Sequence, residues 1–389
     1  LSKLNHLEGI RGIAALIVIF AHFLWGFYPV LHVTGNLPFE PGITMFNVLY
    51  SGHFAVCMFF VLSGFVLSYK FFQTGNIQFI KDSAIKRYVR LVVPVFISIF
   101  ISYIIMKLGW IYNLQVSVLN KSSWMDAWWK FEPSLKTMLT DMIFLRSNYN
   151  NVLWTIKYEI YGAFMVFSFI ALFHDFKYRR FLYVVLIAVL YDTYYLGFIL
   201  GMMLCDLKVT TIKINLKNNF INIIIFFIGV YFVSYPAPTN INLDVTMYSW
   251  IKISWVEYPS IFWHIVGSTL MLFAVINSTW LEKFFSLNPF IYLGKVSFSI
   301  YLLHIPVIGS ISSYVFLKLV NTNTYFQSFM VSFLLSLFII FIIAHFFQKW
   351  IDEGSIKLSN YLLSKVSKSV TIPTSNKKKV IEGKTVKSI

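Results

Sequence analysis

The chain has 389 residues, of which 58% are hydrophobic and only 12% charged, with a mean hydropathy of +0.71. Soluble domains carry about 25% charged residues, so the composition excludes a soluble globular fold and predicts an all-α integral membrane protein. The net charge of +16 is no sign of a nucleic-acid partner, because the basic residues lie in short loops and at the C-terminal end, where positive-inside topology puts them.

Apolar runs predict ten spans, at roughly 10–29, 53–72, 89–110, 152–173, 181–192, 194–206, 219–235, 259–277, 296–317 and 325–347. Arg11 interrupts the first run and no small-residue cleavage site follows it, so a signal peptide is not expected. An even number of spans leaves both termini cytoplasmic, with Lys81, Lys86, Arg87, Arg90, then Lys177, Arg179, Arg180, then Lys208, Lys213, Lys217 on the same side. Spans five and six are short, and Asp192 with Thr193 must form the turn between them. A single helix there would move every later loop to the other side and leave the Lys-rich tail external. Residues 1–347 thus form a transmembrane domain and 348–389 a basic cytoplasmic tail, expected to be disordered, with Lys377, Lys378 and Lys379 suited to anionic headgroups. Two longer external loops are expected, at about 30–52 and 111–151. The second carries Trp124, Trp128 and Trp129, read first as interfacial anchors and alternatively as stacking platforms for a sugar. No internal repeat is visible, which weakens a transporter built from two related halves. Cys57 and Cys205 lie inside apolar runs, so no disulfide framework is implied.

Several polar residues fall within or beside the spans. Arg11 and His22 are eleven residues apart, so a helix returns them to nearly one face, about 16 Å apart along the axis. Ionisable side chains at such depth face a bundle interior or wet cavity, and His is suited to proton exchange near neutral pH. Ser63 and Gly64 in span two are expected chiefly to permit close helix packing. Arg87 and Arg90 share a helix face at the start of span three, where guanidinium groups suit a phosphate clamp. Pro94 follows one turn later and frees backbone carbonyls. Glu159 is the acidic residue placed well inside a span, and a lone carboxylate there must be neutral, paired or near water. Ser299, Tyr301 and His304 follow in span nine, with His304 open to either a structural or a supporting catalytic role. His53, His264 and His345 lie near span ends and His6, His32 and His174 at loops or edges, and none is given a role. There is no Walker loop, no His pair at zinc spacing, no Cys-x-x-Cys and no Gly-x-Ser-x-Gly elbow, so no metal is expected.

Taken in order, EGIRG with its Arg11-to-His22 spacing, FFVLSGF, KRYVRLVVP, WTIKYEIY and LGKVSFSIYLLHIPV resemble the acyltransferase-3 family of integral membrane O-acyltransferases, across about 1–345. The resemblance implies a ten-helix bundle in a bacterial cytoplasmic membrane. Its implied reaction moves an acyl group, commonly acetyl, from acyl-coenzyme A to a hydroxyl of a surface glycan or lipid-linked sugar. It also implies that Arg11, His22, Arg87, Arg90 and Glu159 are the functional positions. The chain departs from the family pattern at Cys57, where many members have an acidic residue, and at Lys157, Tyr158 and a single Glu in the Glu159 segment.

Residues and resemblance suggest one mechanism. Arg87, Arg90 and Arg11 bind the phosphates of cytoplasmic acyl-coenzyme A, and His22 acts as general base on the acceptor hydroxyl. Glu159 orients the imidazole, with Ser63, Tyr301 and His304 in support; a covalent acyl-His intermediate is the variant. The rival class is a transporter or flippase in which Arg11, His22 and Glu159 form a proton pathway; a catalytically dead scaffold is a third reading. The expected partners are the donor, the glycan acceptor and the lipid bilayer, with no nucleic acid, and a homo-oligomer is left open.

Overall fold

The computed structural model describes residues 4–29, 44–211, 218–237 and 242–370, and among these every regular element is helical. In chain order the helices are α1 (Asn5–Phe27), α2 (Gly52–Thr74), α3 (Gln78–Lys107), the short α4 (Asn113–Asn120), α5 (Ser123–Asp126) and α6 (Leu135–Phe144), then α7 (Trp154–Phe173), α8 (Arg179–Leu190), α9 (Tyr195–Asp206), α10 (Asn219–Val233), α11 (Pro259–Asn277), α12 (Thr279–Phe285), α13 (Asn288–Val307), α14 (Ser313–Leu319), α15 (Tyr325–Phe347) and α16 (Glu353–Val370). Among the described residues, seven helical stretches are long and apolar enough to cross a membrane: Asn5–Phe27, Gly52–Thr74, Gln78–Lys107, Asn151–Phe173, Pro259–Asn277, Asn288–Leu319 and Tyr325–Lys365. The other three expected spans correspond to α8, α9 and α10, of 12, 12 and 15 residues. Twelve residues of helix rise only about 18 Å, against about 30 Å of hydrocarbon. α8 and α9 are nevertheless separate helices. Asp192 in their turn accepts hydrogen bonds from the backbone N–H groups of Glu257 and Tyr258, each at 3.0 Å.

Small residues set the closest helix pairs. A Cβ on Gly12 would meet the Gly294 nitrogen at 2.5 Å, and one on Gly294 would meet the Glu8 carbonyl at 2.1 Å, so α1 lies directly on α13. The first and last of the sequence segments singled out above therefore touch. Gly64 and Gly201 do the same for α2 against α9, each facing a backbone carbonyl at about 2 Å, of Phe198 and Val61 respectively. The packing role expected for Gly64 has this contact as its cause.

Two helix prolines free carbonyls that other segments take up. Pro94 has no N–H for the Arg90 carbonyl, which instead accepts a hydrogen bond from the Ser355 hydroxyl of α16 at 3.3 Å. Pro306 likewise releases the Leu302 carbonyl, which accepts from Asn150 Nδ2 at 2.8 Å. A π-helical turn over Ile308–Ser312 follows at once, the kind of local distortion that accompanies functional sites.

Two expectations are corrected here. The tail was expected to be disordered from 348, but a π-helical turn at Gln348–Asp352 carries α15 on into α16, which runs to Val370 and packs on α3. The Ser355 hydrogen bond and a buried stripe that includes Ser355 and Ser359 hold it. The Lys377–Lys379 run lies outside the described residues, as do His32, Lys213, Lys217 and most of the first loop that was expected to be external. The second loop folds into α4, α5 and α6, and its tryptophans point inward. Trp124 stacks on His22, and Trp129 Nε1 donates to the Tyr149 carbonyl at 3.0 Å. Buried Asn113, whose Nδ2 donates to the Met125 and Trp128 carbonyls at 2.7 and 3.1 Å, ties that loop together.

Candidate active site

A cavity of about 560 Å³ lies among α1, α2, α3, α7, α13 and the turn before α16. Three arginines and a lysine line it, but they are not equivalent. Arg11 is paired with Glu8 one turn earlier at 3.1 Å. Arg87 Nη2 donates to Glu159 Oε1 at 2.9 Å, and Lys295 lies 3.4 Å from Glu353. Arg90 alone among the four has no described carboxylate within 4 Å, although Asp352 and Glu8 on the cavity wall act on it from further off, and its side chain is accessible from the cavity. An unpaired guanidinium in such a setting is a ready partner for a phosphate. Two further atoms are short of partners: Arg87 Nε and Glu159 Oε2 are buried without a hydrogen bond. Leaving such groups unsatisfied costs about 1–3 kcal/mol each, and a bound ligand is one way to satisfy them.

Further along α1, His22 Nδ1 lies 2.9 Å from His304 Nε2, and the two rings are within 14° of coplanar. The tautomers follow from the neighbours. His304 Nδ1 faces the Ile300 carbonyl at 3.1 Å; a carbonyl only accepts, so Nδ1 carries the proton and Nε2 is the acceptor. His22 Nδ1–H then donates to His304 Nε2, and His22 Nε2 keeps its lone pair. That is the arrangement a general base needs: one ring nitrogen held, the other ready for a proton. Trp124 stacks on the His22 ring at 5.2 Å, and Trp25 meets it edge-on at 5.2 Å. These rings restrict His22 to one orientation.

Comparison with known proteins decides what this arrangement belongs to. A family model described as an acyltransferase domain matches residues 4–345. The chain belongs to the acyltransferase-3 family. It is similar to the O-acetyltransferase PaAT-1 of Phomopsis amygdali, with 22% identity over 448 residues, covering 96% of this chain and 87% of that one. No solved structure matches the chain. The protein is therefore a membrane O-acyltransferase, as the resemblance of its five segments implies.

In this acyltransferase the expected site residues fall into two groups rather than one. Arg11, Arg87, Arg90, Glu159 and Ser63 surround the cavity, whereas His22 and His304 stand beyond it. Glu159 does not reach His22. Its Oε1 instead accepts from the Ser63 hydroxyl at 2.5 Å and from Arg87, so the imidazole is oriented by His304 and not by the carboxylate. Ser63 thus lines the cavity and holds Glu159, beyond the packing role expected of it. Tyr301 stands between the groups: it lines the cavity, its ring is 5.9 Å from that of His304, and its hydroxyl shares a 2.7 Å hydrogen bond with Thr155. The proton pathway of the transporter reading needs Arg11, His22 and Glu159 in one network, and they lie in separate ones.

Sequence reasoning missed Thr155, Lys295 and Asp352 as cavity residues. Lys295 sits inside the LGKVSFSIY segment and was available as a signal. Asp352 lies past the last expected span and was not. Of the histidines given no role, His345 meets the Tyr292 hydroxyl at 3.1 Å and His6 lies 3.5 Å from Glu282, while His53 and His264 meet each other.

Proposed function

We propose that the protein transfers an acyl group, acetyl in the simplest case, from acyl-coenzyme A to a hydroxyl of a glycan or lipid-linked sugar. The observation that carries the donor assignment is Arg90, an arginine with no carboxylate within 4 Å among the described residues, facing a cavity that two other arginines line. A polyanionic donor with a long thin arm fits such a site: its phosphates meet Arg90 first, and Arg87 and Arg11 can exchange carboxylate for phosphate oxygen. Arg87 Nε and Glu159 Oε2 suit the polar groups of the arm, one as donor and the other as acceptor. The relative's activity, an O-acetyltransferase by name, supports acetyl as the group.

The arm is directed along α1 toward His22, about 16 Å beyond Arg11, and must displace the Tyr301 ring to arrive. There His22 Nε2 removes the proton of the acceptor hydroxyl as its oxygen attacks the thioester carbonyl. The C–S bond breaks, coenzyme A leaves as thiolate, and the proton passes from imidazolium to that sulfur. His304 Nε2 accepts the hydrogen bond of His22 Nδ1–H and stabilises the transient imidazolium. Trp124 and Trp25 form the wall on which a sugar ring can stack as acceptor. The finer topology belongs to the same proposal: α8, α9 and α10 complete ten crossings, both termini are cytoplasmic, and the arginine cavity opens to the cytoplasm, in keeping with the Lys and Arg bias.

Donor binding to detergent-purified protein tests the assignment. Wild type is expected to bind acetyl-coenzyme A and Arg90→Lys to bind at least tenfold more weakly, because a bidentate contact is lost while the charge is kept. Equal affinity of the two proteins would remove Arg90 from the donor site.

A further inference from the structure

A second histidine pair lies outside the cavity. His53 is near the start of α2, with Cys57 one turn later on the same face, and His264 comes from α11, which packs beside it. His53 Nδ1 and His264 Nδ1 are 2.7 Å apart. One ring nitrogen from each His and the Cys57 sulfur all lie within 4.8 Å of one another. Cys57 and His264 are fully buried, and Cys57 is a free thiol. None of the three lines the arginine cavity.

We propose that His53, Cys57 and His264 form a binding site for a thiophilic d10 cation, with Cu⁺ and Zn²⁺ the candidates. The donor set is two imidazoles and a thiolate, which is what such ions select. The outer ring nitrogens support it. His264 Nε2 faces the Tyr235 carbonyl at 2.7 Å, and His53 Nε2 faces the Tyr194 hydroxyl at 2.8 Å. Metal-bound histidines characteristically give their second N–H to a backbone carbonyl or similar oxygen, which fixes both tautomer and ring orientation. Both Nδ1 atoms are thereby left facing each other, with the Cys57 sulfur within 4.8 Å of a ring nitrogen of each histidine. Metal–nitrogen bonds of about 2.0–2.1 Å require the two Nδ1 atoms to stand about 3.4 Å apart. The rings need open by well under an ångström. Binding replaces the thiol proton by the metal, and the proton leaves to solvent. One thiolate with two neutral imidazoles balances a single positive charge, so a buried site favours Cu⁺ over Zn²⁺. A bound ion would tie α2 to α11 ten residues before Ser63, the residue that holds Glu159.

The alternative use of the same atoms is a metal-free hydrogen-bond chain from Tyr194 through His53 and His264 to the Tyr235 carbonyl. Metal content separates the two. Full-length protein purified in detergent without a polyhistidine tag or chelator would be measured by elemental analysis, then titrated anaerobically with Cu⁺, Zn²⁺ and Co²⁺. The proposal predicts one equivalent of metal per chain, a sulfur-to-cobalt charge-transfer band, and a rise in melting temperature on metal addition. Cys57→Ser should lose the band and the stoichiometric binding, while Cys205→Ser, altered at the other buried thiol, should keep both. Should His264→Ala fail to fold, the two serine variants still decide. Wild type that binds no more metal than Cys57→Ser under all three ions would overturn the site and leave the hydrogen-bond chain.

Discussion

The direction of one hydrogen bond fixes the tautomer of His22. Because the Ile300 carbonyl can only accept, His304 is committed to presenting Nε2 as an acceptor, and His22 must hold its own proton on Nδ1. Removing His304 therefore leaves the base in place but free to turn and to change tautomer. His304→Ala is expected to lower the turnover number about 10²-fold while leaving the donor KM unchanged, whereas His22→Ala should remove the whole general-base contribution of about 10²–10⁴-fold. Steady-state kinetics with both variants checks this, and a donor KM that rises with loss of His304 would assign it to binding instead. That Arg11, His22, Arg87, Arg90 and Glu159 stand out as polar residues in an apolar chain was legible, since each is costly at its depth. Their pairing was not. Helical spacing relates Arg11 to His22 within α1, but nothing in a sequence states that Glu159 on α7 meets Ser63 on α2 and Arg87 on α3 rather than His22.

At the level of elements, proline and serine decide how α3 and α16 meet. Pro94 leaves the Arg90 carbonyl without its helical partner, and Ser355 supplies a new one from 265 positions away in the chain. Ser355→Ala should orphan that carbonyl at a cost of about 1–3 kcal/mol. The expected reading is a lower melting temperature in detergent together with weaker donor binding, since Arg90 is the residue whose backbone is released. An unchanged melting temperature would show that α16 docks without this bond. The α2–α9 contact is less forgiving. Gly201→Val would drive a side chain into the Val61 carbonyl, which already stands 2.0 Å from an ideal Cβ, and size-exclusion chromatography should show no monodisperse protein. That Pro94 frees a carbonyl one turn earlier was foreseeable from sequence; that Ser355 of the tail takes it up was not. α16 escaped notice because its residues are mostly Ser, Lys and Leu in an amphipathic arrangement, which has neither the length of apolar run nor the caps that mark a span.

On the scale of the whole molecule, the fold brings its five signature segments into one column. EGIRG lies against LGK, FFVLSGF and WTIKYEIY share the Ser63–Glu159 bond, and KRYVRLVVP delivers Arg87 to it. The all-helical class and the spans of greatest length were legible because hydrocarbon thickness sets the length of an apolar run. Short helices such as α8 and α9 carry that signal weakly, so crossing number rests on charge bias. Topology has a direct test: cysteines introduced at Lys81 and Lys121 should react with an impermeant maleimide from opposite faces of sealed vesicles, because native Cys57 and Cys205 are buried. Labelling of both from one face would break the ten-crossing arrangement.

The central claim is that the arginine cavity holds the donor and the His22–His304 pair performs the transfer. It is tested most directly by binding and turnover of radiolabelled acetyl-coenzyme A on detergent-purified protein, with Arg90→Ala, His22→Ala and His304→Ala measured in parallel. Wild type should bind and turn over, Arg90→Ala should fail to bind, and both histidine variants should bind normally but transfer slowly or not at all. Full turnover by His22→Ala, or donor binding that survives in Arg90→Ala, would contradict the account.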